Sequence, residues 1–249
     1  SPFNDGYWSN SFDGSGDTLT IPYSSGLQLT SATAFTIEGF VFFNSTSAQQ
    51  YILSNWTTGG AGYAIATGVS TFSNTELVFF DGTTWRKIGD IATGQWYHFA
   101  IVSSGTSSSA YMYLNGVQTS GAFTVSSNIS NGSSSLYLMS QNNSSAYTNG
   151  FLSNFRLIKG TNLYTDGTSF TSPTSPLTAV TNTELLTCQS NRFIDNSTNG
   201  ASITVSGNTS IDEFIPFELL SRQVKLITCQ GNRFKDIIPD RFSITLNGT

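Results

Sequence analysis

The chain is built from short runs of aromatic and β-branched residues, each broken off within a few positions by Gly, Asn, Asp or Ser. Residues 35–43 read FTIEGFVFF, 76–80 ELVFF, 96–102 WYHFAIV, 135–139 SLYLM and 150–158 GFLSNFRLI. Runs of this length and composition are strands. The sharpest local signal is Asn115-Gly116, set between Ala110–Leu114 and Val117–Thr119. Both residues tolerate the positive φ that a type I′ turn demands, so a hairpin is expected there. No helical period runs through the chain, and its abundant Ser, Thr, Asn and Gly favour turns over helices. The pattern predicts an all-β sandwich with at least ten strands in two face-to-face antiparallel sheets over residues 5–180, and helix only as short turns.

Charge narrows the function. Ten Lys and Arg stand against fifteen Asp and Glu, a net −5. A nucleic-acid partner would need a basic face to neutralise phosphates, so none is expected. No apolar run reaches the roughly 18 residues of a membrane-spanning helix. The opening, SPFNDGYWSN, has neither the basic nor the apolar region of a secretory signal, and reads as processed or cut from a longer product. Nineteen Phe and ten Tyr supply a core. Hydroxyls and amides rather than ions provide solubility, a balance shared with secreted, surface and virion proteins.

Near residue 170 the texture changes. Ser169–Pro176 carries two prolines among small polar residues and reads as an extended linker or edge segment. Beyond it, LLTCQSNRFID at 185–195 returns as LITCQGNRFKD at 226–236, and SITVSG at 202–207 returns as SITLNG at 243–248. The offset is 41 residues throughout, and 12 of the 24 pairs from 185/226 to 208/249 are identical. Each copy reads as strand, turn, strand. Two strands cannot bury a core alone, so each copy must dock on something larger. The expected organisation is a sandwich over 1–180, a first β-hairpin repeat over 181–219 and an incomplete second one over 220–249.

Four segments carry a family resemblance. FDGSGDTLTIP at 12–22, FTIEGFV at 35–41, WYHFAIV at 96–102 followed by YMYLNG at 111–116, and GFLSNFRL at 150–157 stand in the order and spacing of laminin-G-like, concanavalin A-like domains. The resemblance covers residues 12 to about 165. It implies a two-sheet antiparallel jelly-roll sandwich, here with C-terminal β-hairpin repeats. The tail "LLTCQ-x-NRF-x-D" is similar to segments beside such domains in structural proteins of bacteriophages, especially marine ones. In the family, a hairpin like 185–207 commonly precedes the Phe12 strand, so the first copy is expected to supply strands missing at the N-terminus, on its own sandwich or on a neighbouring copy. The fold by itself fixes no function, since it hosts lectins, glucanases, adhesion modules and virion parts.

Glucanases of this fold use clustered carboxylates, commonly Glu-x-Asp-x-x-Glu, and that motif is absent. Glu38 and Glu76 read as isolated strand carboxylates. His98, the single histidine, lies between strand aromatics and reads as a hydrogen-bonded sheet residue. Cys188 and Cys229 occupy equivalent repeat positions in apolar strands and read as two buried free thiols; a disulfide would require the copies to pack side by side. Asp13 and Asp17, flanking Gly14 and Gly16, are the candidate metal ligands, with Ca²⁺ the cation an oxygen-rich loop would take; turn formation explains the glycines equally well. No other cofactor is implied. Trp56, Trp85 and Tyr147 sit in polar stretches, Tyr147 close to Asn143. Rings beside amides are suited to stack on sugar C–H groups, which makes these four the candidate glycan-binding residues; tucking under the sandwich edge is the other reading of each ring. Asn-x-Ser/Thr sequons at Asn44, Asn55, Asn128 and Asn131 follow from composition and carry no weight.

The expectation is a non-enzymatic structural protein of a bacteriophage particle, a capsid decoration, fibre or tail adhesin. It would be exposed on the virion surface or otherwise extracellular, contact other virion subunits as a homo-oligomer, and meet cell-surface glycans. A secreted carbohydrate-binding lectin is the alternative, and a diverged glucanase the second alternative.

Overall fold

The computed structural model describes residues 6–56, 60–130 and 132–217. Among them are fifteen strands: β1 (Ser9–Asp13), β2 (Thr18–Ile21), β3 (Phe35–Phe43), β4 (Gln50–Ser54), β5 (Ala64–Thr67), β6 (Glu76–Phe80), β7 (Trp85–Asp90), β8 (Trp96–Ser103), β9 (Ala110–Leu114), β10 (Val117–Gln118), β11 (Leu136–Leu138), β12 (Asn149–Lys159), β13 (Thr183–Thr187), β14 (Thr204–Ser206) and β15 (Ser210–Asp212). Helix is confined to 3₁₀ turns at Ser25–Leu27 and Ser127–Ile129. The larger sheet runs β10-β9-β8-β3-β12-β1-β15, with β13 also paired to β12; the smaller runs β14-β2-β11-β4-β5-β6-β7. Every pairing is antiparallel. The expected two-sheet sandwich is therefore the observed fold. The hairpin at Asn115-Gly116 pairs β9 with β10, and both residues have positive φ.

The core follows from strand alternation. Ile37 and Val41 of β3, Phe99 and Ile101 of β8, Ile65 of β5, and Leu77 and Phe79 of β6 all enter one buried cluster between the sheets. Gly39 also faces it, because a Cβ there would crowd Phe99 and the Phe155 backbone. In β12 the alternation would fail without Asn154. The register shifts between Ser153 and Arg156, and Asn154, at φ 52°, takes up the extra residue. Leu152 and Phe155 thereby both reach the core while Ser153 and Arg156 face outward.

Asn154 also marks where one neighbour of β12 gives way to another. β1 pairs with residues 149–152 and β13 with 155–158. The Asn154 amide donates to the Gly6 carbonyl at 2.9 Å, and its Oδ1 accepts from Leu177 N at 2.9 Å.

The first repeat copy sits on this sandwich, but not as a hairpin. β13 joins β12 in the larger sheet and β14 joins β2 in the smaller, so the two strands of the copy do not pair with each other. After Gly207 the chain crosses back, and β15 pairs with β1. The strand–turn–strand pattern was legible; what prevents a hairpin is the long turn, which Asp195 organises. Its carboxylate accepts from Leu186 N, Ser197 N and Ala201 N at 2.8–3.0 Å, and Phe193 packs on the core. Residues up to Pro216 form one unit. The second copy, with Cys229, lies outside the described residues.

Ser169–Pro176 belongs to a strap rather than a free linker. Phe170 N bonds to Gly116 O, and Tyr164 and Phe170 pack on Ala100, Val102 and Tyr113, on the outer face of the larger sheet.

Candidate functional site

Two outer faces remain once the core is set aside. On the smaller sheet, the residues that alternate with the core set are Tyr51, Ala64, Ala66, Val78 and Phe80, and they form a separate buried cluster with Val69. Trp56 and Trp85, predicted from different loops, both pack on it half-buried, with Phe72. The Trp85 ring lies 4.8 Å from Phe80 and meets Tyr51 edge-on at 6.2 Å. The loop holding Asn143 and Tyr147 is bound to the same strand. Tyr51 N donates to Ala146 O at 3.0 Å, Thr148 Oγ1 donates to Tyr51 O at 2.7 Å, and Ser54 Oγ donates to Asn142 Oδ1 at 3.2 Å. Ala146 is the residue of that loop which packs on the cluster; Tyr147 is half-buried and Asn143 exposed. The structure thus brings Trp56 and Trp85 to one rim, with Asn143 and Tyr147 on a loop tied to its edge.

Tyr51, Phe72 and Phe80 complete this rim and were not singled out from sequence. Tyr51 and Phe80 lie in strands apolar on both faces, where alternation gives no contrast to read, and Phe72 lies in the loop before β6. Burial pushes the Tyr51 hydroxyl up to about 12, so it stays a neutral donor. Trp85 is aimed by the preceding turn. Asp81, buried, accepts from Thr83 N, Thr84 N and Ser126 N and pairs with Arg86 Nη1 at 2.6 Å.

On the larger sheet the outer face holds charge, beside an aromatic patch in which Phe42, Trp96 and Phe151 gather round the exposed Phe214 with ring centroids 4.8–5.3 Å from it. Glu38 is not the isolated carboxylate its strand suggested. Arg156 lies directly across in the register and donates to Glu38 Oε1 through Nη2 at 2.6 Å and Nε at 3.0 Å. Tyr164 Oη donates to Oε2 at 2.7 Å, and His98 Nε2 lies 3.2 Å from the same oxygen. Arg156 Nη1 is taken by Thr178 O at 2.6 Å. Burial pushes the Glu38 carboxyl up, but the His98 hydrogen bond, the Arg156 guanidinium and the Tyr164 hydroxyl outweigh it and hold the group below the ordinary range. Desolvation and the neighbouring Glu38 push the Tyr164 hydroxyl far up. His98 is the sheet histidine expected.

Glu76 stands on the smaller sheet and is paired with Lys87 at 2.9 Å. The two strand carboxylates belong to different sheets, and so do not form the facing acid and nucleophile pair a glucanase needs. Asp13 and Asp17 close a turn. Asp17 Oδ2 accepts from Asp13 N at 2.8 Å and Oδ1 from Asn208 N at 2.7 Å, while Asp13 Oδ1 accepts from Ser15 N at 2.7 Å. With both Asp17 oxygens on backbone N–H groups, the pair falls far short of the six to eight oxygens Ca²⁺ takes, and does not fit that ion as it stands. Among the described residues no three His, Cys, Asp or Glu gather to hold a metal. Cys188 is a buried free thiol, pushed up by desolvation. No helix of the described residues is long and apolar enough to cross a membrane.

Comparison with known proteins agrees with this fold. The family model described as the concanavalin A-like lectin/glucanases superfamily matches residues 13–162. A protein of Bacteroides ovatus with a proposed carbohydrate-binding role superposes with a TM-score of 0.61 at 13% identity, over 86% of this chain and 62% of that one. The chain thus spans less than two thirds of that protein's length. The heptameric SAP-like pentraxin of Limulus polyphemus superposes with a TM-score of 0.57 at 14% identity, over 87% of this chain and 100% of that one. At such identities the likeness is one of fold. No curated protein sequence matches.

Proposed function

The chain belongs to the concanavalin A-like lectin/glucanase superfamily, and from that premise we propose that it is a non-enzymatic carbohydrate-binding module of a bacteriophage particle. The observation that carries the binding reading is the convergence of Trp56 and Trp85 on one outer rim, beside a loop that presents Asn143 and Tyr147. Half-exposed indoles offer flat apolar area for pyranose C–H faces, while amides and hydroxyls of the flanking loop bond sugar hydroxyls. The disposition of Glu38 and Glu76 supports a module without hydrolytic chemistry, since each is committed to a cation and they lie on separate sheets. The particle reading, with exposure on the virion surface, homo-oligomeric assembly and contacts to other virion subunits, is supported by the likeness of the repeated tail to segments of phage structural proteins. The boundary at 219/220, before the second copy, belongs to the same proposal.

A glycan array probed with the wild-type chain and Trp85→Ala tests the binding half. Array signals that fall at least about tenfold in the variant are expected; an array with no signal, or signals indifferent to Trp85, would count against it. Antibody labelling of intact particles tests the other half, and a chain found only free in the medium would favour a secreted lectin.

A further inference from the structure

Away from the Trp56–Trp85 rim, a two-lobed groove opens where the first repeat copy meets the turn after β2. One lobe, about 650 Å³, is lined by residues 179–184 with Thr198 and Asn199. The other, about 420 Å³, is lined by residues 22–26, Glu184, Asn199, Ala201 and Ser202. Glu184 and Asn199 belong to both, so they form the wall between the lobes.

Two features set this groove apart from an ordinary surface crevice. First, it gathers exposed apolar area in an otherwise hydroxyl-rich surface. Tyr23 is 47% exposed and lines one lobe; Val180 is 37% exposed and lines the other. Second, its polar groups are acceptors held in place. Asn199 Nδ2 donates to Glu184 Oε2 at 3.0 Å and to the Glu184 carbonyl at 3.1 Å, which spends both amide hydrogens. Gly26 lets the carboxylate lie against its backbone, where any Cβ would collide with Oε2. The wall therefore offers Glu184 Oε1 and Asn199 Oδ1 as fixed acceptors, with the Asn182 and Ser202 side chains at the flanks.

We propose that this groove is a second carbohydrate site, taking a neutral hexose oligosaccharide with one residue in each lobe. The Tyr23 ring stacks on the C–H face of one sugar, and Val180 contacts the next. Hydroxyls of both donate to the acceptors on the wall, and a charge-assisted bond to a carboxylate is stronger than a neutral one. Glu184 is the one charged residue among those lining the lobes, and Lys159 Nζ bonds to the Ser25 carbonyl at 2.7 Å, so uronic and sialic acids are disfavoured at the Glu184 wall. Because it lies on other elements, the site stands or falls independently of the Trp56–Trp85 rim.

The test is titration of the full chain by NMR with maltoheptaose, mannohexaose, cellohexaose and a β-1,4-galactan oligosaccharide, with an oligogalacturonate as the anionic control. The variants are Tyr23→Ala, Glu184→Gln and Trp85→Ala, each checked by thermal melting. At least one neutral oligosaccharide is expected to perturb the amides of residues 22–26 and 179–184. Affinity should fall about tenfold in Tyr23→Ala and by several-fold in Glu184→Gln, stay unchanged in Trp85→Ala, and be absent for the oligogalacturonate. Tyr23 is a half-exposed loop residue, so Tyr23→Ala keeps the test valid even if Glu184→Gln loosens the wall. The proposal is overturned if no neutral sugar perturbs those amides, if Tyr23→Ala binds as well as wild type, or if the oligogalacturonate binds there equally.

Discussion

The two outer faces of this sandwich solve the same problem in opposite ways. Each sheet has a side that the shared core does not cover. On the larger sheet that side is filled with a buried hydrogen-bonded cluster of Glu38, Arg156, His98 and Tyr164, closed by a strap in which Tyr164 stacks on Phe170 at 3.7 Å. On the smaller sheet it is filled with Tyr51, Val78 and Phe80 and ends in half-exposed tryptophans. A buried ion pair contributes little net stability when intact, yet losing one partner is costly. An aromatic rim is cheap to alter and open to a ligand. Around Glu38 the larger sheet's outer face is thus structural, although the same face also carries an aromatic patch of Phe42, Trp96, Phe151 and the exposed Phe214; the smaller sheet's ends in the rim proposed for binding.

The largest effect should come from the segment that serves both sheets. Truncation after residue 180 removes β13 and β15 from the larger sheet and β14 from the smaller, and takes Leu185 and Cys188 out of the core. Burial of each such side chain is worth ~1.5–3 kcal/mol, and the bared edges of β12, β1 and β2 invite association. The truncated chain is expected to aggregate or to melt without a cooperative transition. If it stays monomeric with an unchanged Tm, the repeat is an appendage.

Next comes the charge cluster. Glu38→Ala or Arg156→Ala strands a buried partner and should cost ~3–5 kcal/mol, whereas replacing both together by Leu and Met should recover most of that loss. A double change that costs the sum of the two single changes would mean the pair is not coupled. The pH dependence has a defined sign. The folded carboxyl of Glu38 titrates below its ordinary 4.5, so its contribution is complete above about pH 4.5 and is lost as pH falls from there through the folded value. Wild-type Tm should drop across that acid window, and Glu38→Gln should have a lower Tm at neutral pH but a flatter acid limb. Parallel curves would remove Glu38 from the acid response.

How much of this was written locally in the chain differs between its parts. Strands, the Asn115-Gly116 hairpin and the repeat were legible because alternation and turn chemistry act over a few residues. The residues shared by the two repeat copies include those by which the first copy holds the sandwich: Leu185 and Cys188 in the core, Phe193 and Ile203 packed against it, and Asp195 tying the turn. What was not legible depends on register. Arg156 meets Glu38 across 118 positions of sequence, through a strand whose phase is reset at Asn154. Tyr51 and Phe80 were hidden because their strands are buried on both faces. The division of the first copy between two sheets follows from the turn held by Asp195, which no two-residue signal announces.

On the smaller sheet's outer face, Trp85→Ala should leave a cooperative melt with a modest loss, because the ring is half-buried and packs on Phe80 and Tyr51 rather than in the main core. Its consequence should appear in glycan affinity instead. A variant that loses as much stability as Arg156→Ala would make the rim structural and erase the contrast between the faces.

The smallest effect should be at Glu76, which sharpens the contrast by placing the same functional group on the other sheet. A hydrogen bond from Ser73 N and the neighbouring Lys87 pull this carboxyl down to about 2. The sign is the same as for Glu38: any contribution is present above the ordinary 4.5 and fades as pH falls towards about 2. The setting differs. Glu76 is partly exposed, and Lys87 is shared with Asp90 at 2.8 Å. Water and mobile ions screen such pairs. Glu76→Gln should therefore leave Tm at pH 7 within measurement error once ionic strength reaches about 0.5 M, where the Debye length is only a few ångströms, and a small deficit should emerge only at low salt. Glu38→Gln should keep its deficit at both salt concentrations, because the Glu38–Arg156 pair is buried. Neither substitution should remove any polysaccharide turnover. A Glu76 deficit that survives high salt, or hydrolysis that disappears with either change, would show that the two carboxylates do not divide between solvent-screened and buried roles.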